Sequence, residues 1–251
     1  MTTRYHSSQA GYDIAYAQQP GKGVGVVFIH GFRSDKGGSK ALALEDFCRA
    51  HNIPFTRFDC FAHGETKGDF LEFTIGHAIA DTLTILDEVA TGEQILIGSS
   101  MGGWVMLAVA RERAAQARGL IGIAAAPDFT ESFPAKMTPE ERQQMEEEGV
   151  IWRMSEYWGR EVPTTKHLFE EAKRHLLMDH PIPYDGPVHL LQGQRDEDVP
   201  WPLALDIAAK LTSHEVAVTL VKDGDHRLSR PEDMKLLFNA VLQMRERISG
   251  A

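Results

Sequence analysis

The sequence predicts an α/β fold: a mostly parallel sheet with helices on both faces. Two observations carry this. Strand-length apolar runs alternate with helix-like stretches along the chain, and the runs are continuous rather than alternating, which suits strands covered on both sides. A third observation concerns chemistry. The small-residue stretch "GSSMGG" (98–103) sits where one run gives way to a helix.

Taken in order, the polar start, with "RYHSS" and "DIAYAQQ" around Gly11, reads as an edge hairpin. "GVGVVFIH" (23–30), "IPFTRFD" (53–59), "QILIGS" (94–99), "LIGIAAA" (120–126), "VHLLQG" (188–193) and "VAVTLV" (216–221) read as sheet strands. Between 73 and 90, Ile79, Leu83 and Leu86 share a helical face, with Asp81, Asp87 and Glu88 placed off it. The stretch after "GSS", "MGGWVMLAVA", is apolar nearly all round, as a central buried helix would be. The last helix spans 230–248, with Met234, Leu237 and Val241 at helical spacing. Ser229 and Glu232 are expected to form its capping box, with Pro231 in the first turn.

Residues 127–186 break the rhythm. Thr138, Pro139 and Glu141 start a helix, "PEERQQMEEE", that is polar on almost every side. A short strand-like piece around Trp152, Tyr157 and Trp158 follows, then an amphipathic helix with Leu168, Phe169, Ala172 and Leu176. The segment is expected to be an insertion over the carboxyl edge of the sheet, a lid within one domain spanning 1–251.

The chain has 251 residues, enough for one large core, with 43% hydrophobic and 25% charged residues, an ordinary globular balance. A net charge of −10 argues against nucleic acid and anionic lipid surfaces as partners. The two cysteines, Cys48 and Cys60, make no disulfide framework and suit a reducing compartment. No signal peptide and no membrane-spanning run is read, so a cytoplasmic location without membrane insertion is expected. Oligomeric state is not readable.

The stretch 98–102 fits Gly-x-Ser-x-Gly with Ser100 central. A strand turning abruptly into a helix strains the apex and crowds its neighbours, so the flanking positions must be small. The apex hydroxyl then stands beside the helix N-terminus, whose free N–H groups favour negative charge. A serine needs a base, and the base needs an orienting acid. His226, in "KDGDHRLS" after the last strand, lies at the same sheet edge. "GQRDEDVP" after 188–193 offers Asp196, Glu197 and Asp198; Asp196 is the choice and Asp198 the rival. Phe129, Phe133, Trp152, Tyr157 and Trp158 are candidate linings of an acyl pocket, with Phe129, Trp152 and Trp158 preferred as substrate-binding residues. "GKGVG" (21–25) precedes a strand and reads as a turn, not a nucleotide loop. His175 and His180 lack a third ligand at zinc spacing, Cys60 reads as a small buried hydrophobe, and Trp104 as core. No metal and no cofactor is expected.

"FIHGF" (28–32), "DCFAHGET" (59–66), "GSSMGG" (98–103), "GQRDEDVP" (193–200) and "GDH" (224–226), in this order and spacing, resemble the α/β-hydrolases over nearly the whole chain. That resemblance implies an eight-stranded sheet with the second strand reversed. It also implies an oxyanion hole from the backbone N–H groups of Phe32 and Met101. A serine at 100 rather than aspartate or cysteine points away from dehalogenase, epoxide-hydrolase and dienelactone-hydrolase chemistry. "HGFRSDKGGSKA" (30–41) and "PTTKHLFEEAKRHLL" (163–177) are similar to a narrower subgroup, that of the mitochondrial acyl-protein thioesterase that also cleaves acyl glucuronides. No transit segment is read here. The expected activity is serine hydrolysis of carboxylic esters or thioesters of a small-molecule or acylated substrate. The alternative is a ligand-binding or receptor-like protein on the same fold.

Overall fold

The computed structural model describes residues 1–155 and 159–250. In chain order the elements are β1 (Arg4–Ser7), β2 (Asp13–Gln19), β3 (Gly25–Ile29), α1 (Ser39–Ala50), β4 (Phe55–Phe58), α2 (Ile75–Thr84), β5 (Gln94–Ser99), α3 (Met101–Glu112), β6 (Ala117–Ile123), α4 (Phe129–Ser132), α5 (Pro139–Glu147), β7 (Val150–Ser155), β8 (Arg160–Thr165), α6 (Lys166–Ala172), β9 (Val188–Gly193), α7 (Pro202–Lys210), β10 (Val216–Val221) and α8 (Pro231–Ser249). Eight strands form one sheet in the order β1-β2-β4-β3-β5-β6-β9-β10. β2 runs antiparallel to both neighbours, and from β4 onward every pairing is parallel.

Alternation within the central strands splits the core in two. Val26 and Phe28 of β3, Ile95 and Ile97 of β5, and Ile121 and Ile123 of β6 pack under α1 and α8. Val27, Ile29, Leu96 and Leu120 point the other way, under α2 and α3. Because side chains alternate faces, a strand buried on both sides is apolar at most positions; β4 is the departure, its buried Arg57 being paired with buried Glu45. β10 differs. It is an edge strand and stays half exposed: Val216 and Val218 pack against one half of the core and Val221 against the other, none of them fully covered.

Two local readings are corrected. The N-cap of α8 is Arg230, one residue later than expected. Asp233 accepts from the Arg230 backbone N–H, while Ser229 Oγ donates to Arg227 O instead. Asp81 is not on an outer face of α2 but fully buried. There it accepts from the Tyr12 hydroxyl at 2.6 Å and the Phe61 N–H at 2.7 Å, partners distant in sequence.

Between β6 and β9 lies the excursion expected over 127–186. The Thr138–Glu141 capping box starts α5 as read. The strand-like piece is β7, which pairs antiparallel with β8. β8 carries Pro163, which a two-stranded ribbon tolerates because one edge needs no donor. Leu168 and Ala172 of α6 join the main core, whereas Met137, Met145 and Ile151 form a small separate cluster. Asp128 ties the ends of the excursion together, accepting from the Leu177 and Met178 N–H groups. No helix among the described residues is long and apolar enough to cross a membrane.

Candidate active site

Ser100 occupies the single residue between β5 and α3, with φ 54° and ψ −119°. A non-glycine residue holds such a backbone only when its surroundings over-determine it. Here they do. Ser100 N–H donates to Ile123 O, and its carbonyl accepts from the Gly103 and Ala126 N–H groups. The glycines permit the turn. A Cβ on Gly98 would lie 2.3 Å from Gly102 O, one on Gly102 2.2 Å from Ile29 O, and one on Gly103 2.5 Å from the Ala125 Cβ. The first two obstacles are backbone and cannot move aside. Met101 is the first residue of α3, so its N–H is among the groups a helix leaves unpaired at its start.

The turn after β3 closes over this elbow. A Cβ on Gly31 would lie 3.2 Å from Ser99 O and 3.3 Å from Ser100 Cβ, which keeps the position small and brings Phe32 alongside. Two buried histidines fasten the turn. His30 Nε2 accepts from the Cys60 N–H at 3.1 Å, so its Nδ1–H donates to Gly31 O at 2.8 Å. His63 Nδ1 faces Phe61 O at 2.8 Å, which leaves Nε2 to accept from the Arg33 N–H at 3.3 Å. Burial pushes both histidines below their ordinary range, so both are neutral acceptors.

The base and acid come from the far half of the sheet. A Cβ on Gly193 would lie 2.4 Å from Gly224 O and 2.5 Å from Asp225 O, so only glycine lets the loops after β9 and β10 cross here. Their crossing sets His226 Nδ1 at 2.9 Å from Asp196 Oδ2. The Asp196 side chain is fully buried and its oxygens are taken up. Oδ2 also accepts from Gln192 Nε2, and Oδ1 from the Asp198 and Val199 N–H groups. Burial works against the charged carboxyl, but the His226 hydrogen bond and charge, with the Val199 and Gln192 donors, hold it below the usual carboxylate range. Asp198 contributes its backbone N–H to Asp196, and its exposed carboxylate lies within 4.8 Å of the other ligand-type atoms of Asp196 and His226. The four donors on Asp196 suit a hydrogen-bonded acid better than a cation ligand.

Ser100, His226, Phe32, Met101 and Phe129 face one cavity of about 530 Å³. Phe129 is wedged between Phe32 and the edge of Trp104, which is fully buried and donates its Nε1–H to His175 O. Trp152 is not part of the lining. It is 44% exposed, whereas the next three residues of β7, Arg153, Met154 and Ser155, line the cavity. Tyr157 and Trp158 lie outside the described residues. Phe133 lines the cavity as expected of an insertion aromatic. His175 is engaged with Glu171 at 2.6 Å, and Cys60 is buried with its thiol pushed well up. Sequence reasoning missed Gln192, Arg33 and the individual roles of His30 and His63. The one signal was that both histidines precede glycine in "HGF" and "HGE".

A profile described as the alpha/beta hydrolase family matches residues 26–237. Mouse (Mus musculus) palmitoyl-protein thioesterase ABHD10, mitochondrial, is 38% identical over 241 residues, covering 94% of this chain and 80% of the relative. The human (Homo sapiens) protein of that name is 37% identical over 238 residues, covering 94% and 78%. The structure of alpha/beta hydrolase domain-containing protein 10 from mouse superimposes with a TM-score of 0.90 at 36% identity, covering 99% of this chain and 100% of that one. An eight-stranded sheet with a reversed second strand, a serine elbow and this breadth of similarity lead to one conclusion: the chain belongs to the alpha/beta hydrolase family.

Proposed function

We propose that this hydrolase cleaves acyl thioesters and carboxylic esters through Ser100, His226 and Asp196. The observation that carries the reading is the strained Ser100 turn opening into the same cavity as His226, whose other ring nitrogen is held by buried Asp196. With Nδ1–H bound to Asp196, the His226 Nε2 is the free base. It takes the Ser100 proton as Oγ attacks the acyl carbonyl, and Asp196 stabilises the imidazolium. The N–H groups of Phe32 and Met101 receive the charge that develops on the carbonyl oxygen. His226 then protonates the departing thiol or alcohol, and water regenerates Ser100 by the same route in reverse.

Residues 127–186 act as the lid, and Phe129, Phe133 and Met154 give the acyl chain an apolar wall. The thioesterase relatives, named for palmitoyl-protein substrates, favour a long acyl chain. The substrate is therefore an acylated small molecule or protein. The cytoplasm is the proposed compartment; the relatives are named mitochondrial, and cell fractionation separates the two.

The test is hydrolysis of matched esters and thioesters from acetyl to palmitoyl, with Ser100→Ala as blank. The expected result is a maximum at long thioesters and a loss on the order of 10⁴–10⁶ in kcat in the variant. Fluorophosphonate labelling of the wild type but not of Ser100→Ala is expected alongside. Activity retained in Ser100→Ala would overturn the mechanism. A folded wild type that neither labels nor turns over would point to a binding protein.

A further inference from the structure

Arg33 is an anomaly. It directly follows Phe32, lines the cavity and holds a left-handed backbone, φ 60°, that a long side chain gains nothing from. A residue strained in this way needs anchors, and Arg33 has them at both ends. Its guanidinium Nη2 donates to Val162 O at 3.1 Å and Thr164 Oγ1 at 2.5 Å on β8. Its backbone N–H donates to His63 Nε2.

The two peptide groups flanking the Phe32 Cα are thus each fixed by a buried imidazole. In a trans peptide the C=O and the following N–H point in opposite directions. Where His30 grips Gly31 O, it sets the direction of the Phe32 N–H. The next peptide lies inside a turn that the Ser34 N–H closes on the same Gly31 O at 3.1 Å. His63 holds that peptide directly, by accepting from the Arg33 N–H. His63 is itself closely packed. It is fully buried, 5.0 Å from the His30 ring, with Phe70 and Phe73 against it at 4.8 and 4.7 Å. Its own turn is tied by the His63 N–H to Cys60 O and the Thr66 N–H to His63 O.

We propose that His63 is a positioning residue for hydrolysis: its Nε2 lone pair holds the Arg33 N–H and thereby keeps the neighbouring Phe32 N–H aimed at the oxyanion. The inference rests on the serine-hydrolase reading and adds a residue to it. His63 touches no reacting atom. Burial keeps its ring neutral, which preserves the acceptor.

Two near-isosteric variants separate this role from packing. In His63→Gln the side-chain oxygen reaches the place of Nε2 and can accept from Arg33. In His63→Asn the amide reaches only the place of Nδ1; it keeps the donor to Phe61 O and loses the acceptor. The readout is the ratio of rates on an acetyl oxoester and its thionoester, because a sulfur anion fits an oxyanion hole poorly and a damaged hole levels the two. The ratio is independent of the fraction of molecules folded, so a poorly folding variant still reports. His63→Asn should lower kcat on the oxoester about 100-fold with KM within a few-fold, and collapse the ratio. His63→Gln should recover most of the lost rate and restore the ratio to within about threefold of wild type. A ratio unchanged in His63→Asn, or collapsed equally in both variants, would overturn the proposal. Failure of the serine reading shows separately, as wild-type turnover that survives in Ser100→Ala.

Discussion

The floor of the cavity and its roof are built to different standards. The floor, made by the turns after β3, β4, β5, β9 and β10, is fixed by backbone. Gly98 and Gly102 have backbone atoms within 2.3 Å of any added Cβ, and His30, His63 and the Ser100 carbonyl are all engaged with main-chain groups. The roof, α5 with the turn before it, β7 and β8, has its own small apolar cluster of Met137, Met145 and Ile151; Arg153 to Glu141 joins it internally, and side chains tie it down, Arg33 to Val162 O and Thr164 and Lys136 to Asp198 O. Backbone contacts in a packed core tolerate no change, whereas partly exposed side-chain ties break at small cost. The proposed chemistry sits on the backbone-fixed part, and the proposed acyl wall on the part tied by side chains.

The largest effect expected on the floor after Ser100 itself is at the acid. Asp196→Asn keeps the shape but presents an amide to the His226 Nδ1–H, favouring the wrong tautomer, and should lower kcat on the order of 10⁴-fold. Asp198→Asn leaves its backbone donor intact and should change kcat less than about fivefold. Steady-state kinetics on one short ester suffices. Equal losses at both positions would mean that two carboxylates share the work and that the floor is less singular than its geometry implies.

A smaller effect concerns the support of the floor. Buried Asp81 accepts from the Phe61 N–H, in the turn that carries His63, and burial raises its carboxyl to about 7 despite that donor and the Tyr12 hydroxyl. A carboxyl whose folded value exceeds its unfolded value binds more protons in the native state, so stability falls as pH rises from about 4 to about 7. For this group the loss is roughly 2–4 kcal/mol. Asp81→Asn should remove that slope, leaving a flatter urea midpoint between pH 4 and 8. A midpoint profile parallel to wild type would show that Asp81 keeps its charge in the folded protein.

How much of this was legible in sequence follows the same division. The strands β3 and β5 are readable because their two covered faces are almost wholly apolar, and Ser100 because only small neighbours fit its turn; β4 departs from that rule, burying Thr56 and an Arg57 that pairs with Glu45. The Asp196–His226 pairing is foreshadowed by two loops ending adjacent strands. What escaped depends on contacts between distant segments. Asp81 looks like a surface charge until Tyr12 and Phe61 arrive. His63 reads as one more loop histidine until Arg33 presents its N–H. Pro163 hides β8, and Trp152 resembles a pocket wall but stands exposed on β7, outside the lining.

The smallest effect is expected at the roof, and it is the sharpest test of the division. The Arg153 guanidinium makes two 2.7 Å contacts with Glu141, lies 4.6 Å from the centre of the Phe133 ring and lines the cavity, so it joins α5, β7 and the acyl wall. Its hydrogen bond holds the Glu141 carboxyl down at about 2, so the pair stays ionised across the working range. Both partners are partly exposed, so Arg153→Ala should cost at most about 1 kcal/mol of stability. On substrates, KM for long acyl chains should rise about three- to tenfold, by loss of an ordered wall, while kcat/KM on acetyl esters changes less than about twofold. Parallel losses on short and long chains would mean that a shift of the roof reaches the floor. Arg33 is placed to transmit it, since its side chain is held by β8 and its backbone by His63. In that case Arg33→Ala, which cuts the side-chain tie alone, should abolish the short-chain effect of Arg153→Ala. Additive short-chain losses in the double variant would show that roof and floor are coupled by another route.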